Sequence, residues 1–136
     1  MRIFICCSKY IYDRIHPIKE KLESKGHLIT LPNSYEEPMA EERIKAGGKE
    51  EHENWKANMI RLQKEKISVN DAILVLNMEK KGIKNYIGGA TFLEMSKAWE
   101  LGKKIFLFND IPENIMQDEI CAFKPIIINQ NLDNIK

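Results

Sequence analysis

Apolar residues fall into two patterns along the chain: short unbroken runs, and longer stretches where they recur at helical spacing. Arg2–Cys7 is an unbroken run of the kind a strand shows when a parallel sheet buries both its faces. Ser8–Tyr12 reads as the turn out of it. Ile11, Ile15, Ile18 and Leu22 then follow at spacings of four, three and four, one face of a helix. Pro17 would break a helix interior, so the helix is expected to start near Asp13, and Gly26 supplies the stop. His27–Leu31 reads as the second strand, closed by Pro32 and Asn33. From Asn33 to Glu50, two prolines in or beside the stretch (Pro32, Pro38), Gly47 and Gly48 and many glutamates predict a loop with at most one short helix. It is either a lid or binding loop or a solvated insertion.

The second half of the chain repeats the alternation. Glu51–Lys66 predicts an amphipathic helix with Trp55, Met59 and Leu62 on one stripe, which reads as core. Asp71–Leu76 is the clearest buried strand. Asp71, at the edge away from the usual ligand crevice, reads as structural. Asn77–Gly102 combines a polar loop, the pair Gly88-Gly89 and a helix whose Phe92, Leu93, Met95, Ala98, Trp99 and Leu101 are expected to pack toward the sheet. Gly102 ends that helix, with Lys103 and Lys104 near its negative end. Ile105–Phe108 reads as the fourth strand, ending in Asn109, Asp110, Ile111 and Pro112. A short helix, Glu113–Phe123, leads to a fifth strand, Pro125–Ile128, and a polar tail with at most one helical turn. Five strands alternating with helices predict an α/β fold in one domain, residues 1–136: a flavodoxin-like three-layer α/β/α sandwich. Its five-stranded parallel sheet has the order 2-1-3-4-5. The switch point then lies between strands one and three, which brings Cys7–Tyr10 and Asn77–Gly89 around one crevice.

Composition narrows the partners. With 43% hydrophobic and 30% charged residues the chain reads as an ordinary soluble protein. A net charge of +1 offers no footprint for nucleic acid, and lysines interleaved with glutamates make no basic membrane patch. No apolar run approaches the ~20 residues of a membrane span, and the amino terminus is no signal peptide. The three cysteines are odd in number, with Cys6 and Cys7 adjacent on opposite faces of a strand, which fits a reducing cytoplasm. His16, His27 and His52 are too far apart for a local metal motif. No metal and no cofactor are expected. The apolar stripe with Trp55 and Met59 exceeds what one helix face needs, which suggests a homo-oligomer.

The candidate chemistry lies in the stretch Asn77–Gly102. Gly88-Gly89 would let the backbone take positive φ and approach a ligand, and the helix start beyond it favours anions. There is no GxGxxG, no GxxxxGK[ST] and no acid about twenty residues on, so dinucleotide dehydrogenases are disfavoured. Ser8-Lys9-Tyr10 is not a hydroxyl-rich flavin-phosphate loop. Thr91-Phe92-Leu93-Glu94 fits a capping box, with Thr91 as cap and Glu94 bonding back to the Thr91 amide. The same position, in a first helical turn at a crevice mouth, suits a carboxylate that attacks an anomeric carbon, kept ionised by the helix end. The two roles are compatible. Cys7 is read as a buried small hydrophobe rather than a thiol nucleophile. Tyr10 and Tyr12 either stack on a base or cover the first helix, and Tyr35 is placed to close over a ligand.

The segments NDAILVLN, YIGGATFLEMSKAWELGKKIF and LFNDIP, within Asn70–Pro112, resemble the nucleoside 2-deoxyribosyltransferase-like superfamily. The shared pattern is G-T-x-x-E-x-G-x-A before a strand beginning K-P-I. The resemblance implies a flavodoxin-like sheet, a nucleoside or nucleotide substrate, and cleavage or exchange of its N-glycosidic bond by a glutamate nucleophile. On that match Glu94 is the nucleophile, Gly88, Gly89 and Thr91 form the sugar-side loop, and Ala98 lets the helix pack closely. Cys7, Ser8 and Tyr10 lie on the base-binding side, with Asn77 and Asn109 at neighbouring strand ends. Three departures stand out. No acid lies between Glu79 and Glu94, where the family carries an aspartate that assists the leaving base. The glycine-to-Glu94 spacing is one residue longer, and Ser96 replaces a glycine. Asp110, Tyr86 or a neighbouring subunit are the candidates to supply the missing proton donor. The alternatives are a non-catalytic nucleotide-binding or sensing module of the same fold, and an NAD-cleaving domain of the Toll/interleukin-receptor type.

Overall fold

The computed structural model describes residues 1–136. In chain order the elements are β1 (Arg2–Cys6), a 3-10 helix (Lys9–Arg14), α1 (Ile15–Ser24), β2 (Leu28–Thr30), α2 (Ala40–Ala46) and α3 (Lys49–Ser68). There follow β3 (Ala72–Val75), α4 (Gly89–Glu100), β4 (Lys104–Leu107), α5 (Gln117–Ala122), β5 (Ile126–Ile127) and a 3-10 turn (Leu132–Asn134). The strands form one parallel sheet in the order β2-β1-β3-β4-β5, as the alternation predicts. Ile3 pairs with Ile29 on one side and Ala72 on the other, and Leu74 pairs with Phe106.

Alternate strand residues feed two cores. Ile3, Ile5, Leu74, Leu76 and Phe106 meet α1 through Ile15, Ile18 and Leu22, together with Ile128, Leu132 and Ile135 of the tail. Phe4, Cys6, Ile73, Val75, Ile105 and Leu107 meet Ile67 of α3, Met95 and Ala98 of α4, and Ile120 of α5. The asymmetry follows from handedness. Only the β1–β2 connection runs toward the β2 edge, so a right-handed crossover leaves α1 alone on its face. The tail completes that face, tied down by a Lys25–Asp133 ion pair. No helix is long and apolar enough to cross a membrane.

Two local expectations are corrected. The turn after β1 is a 3-10 helix capped by Ser8, whose Oγ accepts from the Tyr10 N–H at 3.4 Å, so α1 starts at Ile15 and Pro17 falls safely in its first turn. The inward stripe of α4 is Thr91, Glu94, Met95 and Ala98. Leu93, Trp99 and Leu101 lie off that stripe and are 46%, 55% and 42% exposed. The segment after β2 is a loop that carries one short helix, α2, as its composition predicts.

One mismatch of lengths shapes the molecule. At 20 residues α3 is about 30 Å long, whereas the four residues of β3 span only ~13 Å. The carboxyl end of α3 leads straight into β3 and is docked by Ile67, buried on the sheet. The amino-terminal half therefore overhangs the carboxyl edge of the sheet. This is why Ile67 is the one buried residue of α3, and why Trp55 and Met59, expected in the core, stand over a hollow instead.

The carboxyl edge itself is braced by Asn77, wholly buried just beyond β3. Its Nδ2 donates to the Asn109 and Asp110 carbonyls at 3.1 and 2.9 Å, and its Oδ1 accepts from the Asn109 N–H at 2.8 Å. At the opposite edge Asp71 accepts from the Arg2 N–H at 2.8 Å, the structural role its position predicts. Replacing Asn77 by Ala strands buried backbone groups, and is expected to lower stability by about 2–4 kcal/mol in urea denaturation. A loss below 0.5 kcal/mol would show that the brace is dispensable.

Candidate functional site

The loop 77–88 returns the chain from β3 to the start of α4, and its geometry differs from a capping box. Helix α4 begins at Gly89 with Gly88 as its cap residue, and no side chain caps it. Thr91 is thus the third helical residue and Glu94 the sixth, in the second turn, which corrects the first-turn placement. Neither glycine uses positive φ: Gly88 sits at φ −85°, and Gly89 is helical. What glycine supplies is room. A Cβ at Gly88 would lie 3.1 Å from the Tyr86 hydroxyl, and one at Gly89 would project into open space over the helix start. The first N–H groups of α4 are left uncovered, and such groups attract anions.

They open onto a cavity of about 270 Å³ at the carboxyl ends of β1 and β3. One wall is Cys7, Ser8, Lys9, Tyr10 and Tyr12 from the first loop and 3-10 helix. A second is Lys80, Tyr86 and Gly88–Thr91. The overhang of α3 contributes Trp55, Lys56, Met59 and Gln63, and the β2–α2 segment closes the remainder with Pro32, Asn33, Ser34, Pro38 and Glu41. The long segment therefore covers one side of the cavity, and α2 is tied to the first loop by a Lys9–Glu42 ion pair. Trp55 and Met59, read as core and as surplus apolar surface for self-association, line this cavity and argue for neither. Tyr35 packs against Tyr12, ring centres 5.8 Å apart.

Glu94 lies at the floor, only 6% exposed. Burial pushes its carboxyl up to about 8, against the opposing pull of the Cys6 thiol and the Lys66 ammonium. Neither partner offsets the lost water. A thiol is a weak donor, and Cys6 also reaches the Phe4 carbonyl at 3.9 Å. Lys66 directs its Nζ to the Leu31 carbonyl at 2.6 Å, and burial lowers its own pKa. The expectation that the helix end keeps Glu94 ionised is thus overturned: desolvation outweighs it. Burial, seconded by Glu94, raises the Cys7 thiol, which leaves it inert as a nucleophile. Thr91, 5% exposed, also borders the cavity. Two buried polar side chains thus face empty space between the first loop and α4.

The rim is cationic and aromatic. Lys80 Nζ lies 4.4 Å from the ring centres of both Tyr10 and Tyr86 and 3.4 Å from the Tyr86 hydroxyl. Lys81 and Lys9 approach the Tyr10 ring at 4.8 and 5.7 Å. These lysines, Lys81 foremost, lower the Tyr10 pKa. No group of three or more His, Cys, Asp and Glu side chains is placed to hold a metal ion.

Of the residues singled out in the sequence, Glu94, Tyr86, Cys7, Ser8, Tyr10, Gly88, Gly89 and Thr91 all border this one cavity. Asp110, Asn109 and Asn77 do not. The exposed Asp110 follows β4, on the far side of β3 from the crevice, and its carbonyl serves the Asn77 brace. Asn109 bonds Asn77 and Gln130. Asp110 is therefore not the acid beside Glu94, and neither asparagine faces the ligand space. Sequence reasoning missed Glu41, Lys56, Lys80 and Gln63. Only the length of α3 relative to the strands it covers hinted at an overhanging wall.

No family model matches the chain, and no curated protein matches it. Among solved structures the fold is similar to that of the Clostridium botulinum CMP N-glycosidase BcmB. The TM-score is 0.57 over 95% of this chain and 90% of that one, at 17% identity. The likeness establishes a shared fold.

The buried carboxyl leaves a signature in stability. An unfolded glutamate titrates near 4.3, so between about pH 4.5 and 8 the unfolded chain has lost a proton that folded Glu94 retains. Stability contributed by the neutral carboxyl is present at low pH and lost as pH rises through that window. Glu94→Gln removes the penalty. The variant is expected to match the native protein near pH 4.5 and to exceed it by roughly 2–4 kcal/mol at pH 8.5 in denaturant titrations. Parallel stability curves across this range would contradict the burial argument.

Proposed function

We propose that the protein is a nucleoside 2-deoxyribosyltransferase-like enzyme that cleaves or exchanges the N-glycosidic bond of a nucleotide, with Glu94 as nucleophile. The observation that carries this reading is the position of Glu94, buried and without an ion-pair partner at the floor of a cavity with two unlike ends. At one end are the uncapped start of α4 and Lys80, which suit a 5′-phosphate. At the other are Trp55, Met59 and Pro38, which suit a flat base. A sugar bridging them would lie over Glu94. The fold shared with a CMP N-glycosidase supports the same substrate class.

The chemistry proceeds in two balanced steps. Ionised Glu94 attacks the anomeric carbon, and the C–N bond breaks with its electron pair leaving on the base. The base then takes a proton from water or from a neighbouring donor such as Tyr86. Water, or a second base in exchange, attacks the glycosyl ester and frees the carboxylate. The oxocarbenium-like transition state is cationic, and in a desolvated site it stabilises the carboxylate far more than water would. Thr91 and Tyr86 are positioned to bond the sugar or phosphate oxygens.

A second reading, a nucleotide-binding module without turnover, draws on the same titration. A carboxyl with a pKa of about 8 is mostly protonated at neutral pH, and the loop before it holds no second acid.

Two measurements separate the readings, and a third tests the phosphate end of the cavity. Free base released from nucleoside 5′-monophosphates, followed by chromatography, is expected to increase with pH through about 8 as Glu94 ionises. Glu94→Gln is expected to abolish release while nucleotide binding persists by calorimetry. Lys80→Ala is expected to weaken a nucleotide about tenfold and the matching nucleoside much less. Binding without any release across pH 6–9 would leave the module reading standing and remove the enzyme.

A further inference from the structure

The cavity holds a second carboxylate that the reaction above does not use. Glu41, the second residue of α2, forms part of the wall next to Trp55 and Met59. Two donors converge on one of its oxygens: His52 Nε2 lies 2.8 Å and Lys56 Nζ 3.2 Å from Oε2. The other oxygen, Oε1, bonds nothing in the protein, and the side chain keeps 24% of its exposure. The carboxylate is thus fixed in position by one oxygen while the other remains an unused acceptor.

The surroundings hold this arrangement. His52 stacks on Trp55 with ring centres 6.4 Å apart, and Lys56 lies 5.9 Å over the same indole. One turn of α3 therefore presents the flat wall and both donors. The Lys9–Glu42 pair ties the next residue of α2 to the first loop. Partial burial works to raise the Glu41 pKa, but the His52 and Lys56 bonds outweigh it and hold the carboxyl below the usual range, so it remains an acceptor at neutral pH. Asn33, the neighbouring amide, already donates to the Met59 carbonyl at 3.3 Å.

We propose that Glu41 reads the base: Oε1 accepts a hydrogen bond from the exocyclic amine of a cytosine- or adenine-type base lying against Trp55 and Met59. This rests on the nucleotide reading of the cavity. The specificity follows from charge. An amino group at C4 of a pyrimidine or C6 of a purine donates to the carboxylate, whereas the oxygen of the matching oxo base sets lone pair against lone pair and strands a desolvated anion. The amino form is expected to bind at least about tenfold more tightly than its oxo counterpart.

The test reads binding and not turnover. Calorimetry with the full chain compares CMP with UMP, and AMP with IMP, for the native protein, Glu41→Ala, Glu41→Gln and Glu94→Gln. Thermal melting checks that each variant is folded, and the Gln variant serves if the Ala variant loosens α2. A native preference of tenfold or more for one amino form, reduced to within about twofold by the Glu41 variants but retained by Glu94→Gln, supports the assignment. Nucleotide binding with no amino preference, or with a preference that survives both Glu41 substitutions, overturns it and leaves the site intact. If none of the four nucleotides binds, the nucleotide reading falls together with the role of Glu41. Failure of catalysis alone touches neither result.

Discussion

The Glu94 carboxyl has lost its water without gaining an ion-pair partner, and the rest of the site can be understood from that cost. A helix whose inward stripe runs Thr91, Glu94, Met95, Ala98 places two polar side chains where the packing demands apolar ones. Burial drives the carboxyl toward its neutral form and carries Cys6 and Cys7 with it, since each would be an anion beside another. Lys66, close enough to be felt, is committed to the Leu31 carbonyl and moves in the opposite direction, toward its own neutral form. A fold does not hold such a group for stability, because a Gln or Met in its place would remove the penalty. A carboxyl held at such a cost in a cavity is a candidate for function.

The architecture supplies the enclosure. Parallel strands ending together at a switch point leave a crevice, and short strands leave it shallow. Here depth comes from α3, whose length carries its amino-terminal half past the sheet edge, and from α2, which closes the opening through Lys9–Glu42 and Glu41–His52. Charge is distributed by end. Lys9, Lys80 and Lys81 gather at the tyrosine rim near the α4 start, while the Glu41 carboxylate stands on the opposite wall with His52, Lys56 and Trp55. The proposed substrate, with an anionic tail, a sugar and a flat head bearing a hydrogen-bond donor, is chosen to fit that gradient.

Much of this was legible in the residues, and the failures are instructive. The parallel sheet followed from the alternation of short, mostly apolar runs with helical stretches, and its order is one of the two common doubly wound arrangements. The cluster around Gly88, Gly89 and Glu94 followed from where α/β sheets open. The capping box misled because Thr91 and Glu94 satisfy it by spacing, while Gly88, freed of a side chain that would strike Tyr86, lets the helix begin three residues earlier. That Glu94 keeps step with Met95 and Ala98 was the available sign that it is buried. Trp55 and Met59 were assigned to the core because periodicity reports which residues share a face, not what that face covers. Asp110 was attractive as a strand-end acid, but one strand's width separates it from the crevice. Glu41 could not have been found by motif, since its partners His52 and Lys56 lie on another helix and only folding brings the three together.

The most direct test of Glu94 as nucleophile is to trap its ester. Incubation with a 2′-fluoro-substituted nucleoside 5′-monophosphate, which slows hydrolysis of a glycosyl-enzyme more than its formation, should yield one equivalent of free base. Peptide mass spectrometry should then find the fluorinated sugar phosphate on Glu94 alone. Base release with no adduct, or an adduct on any other residue, would contradict it.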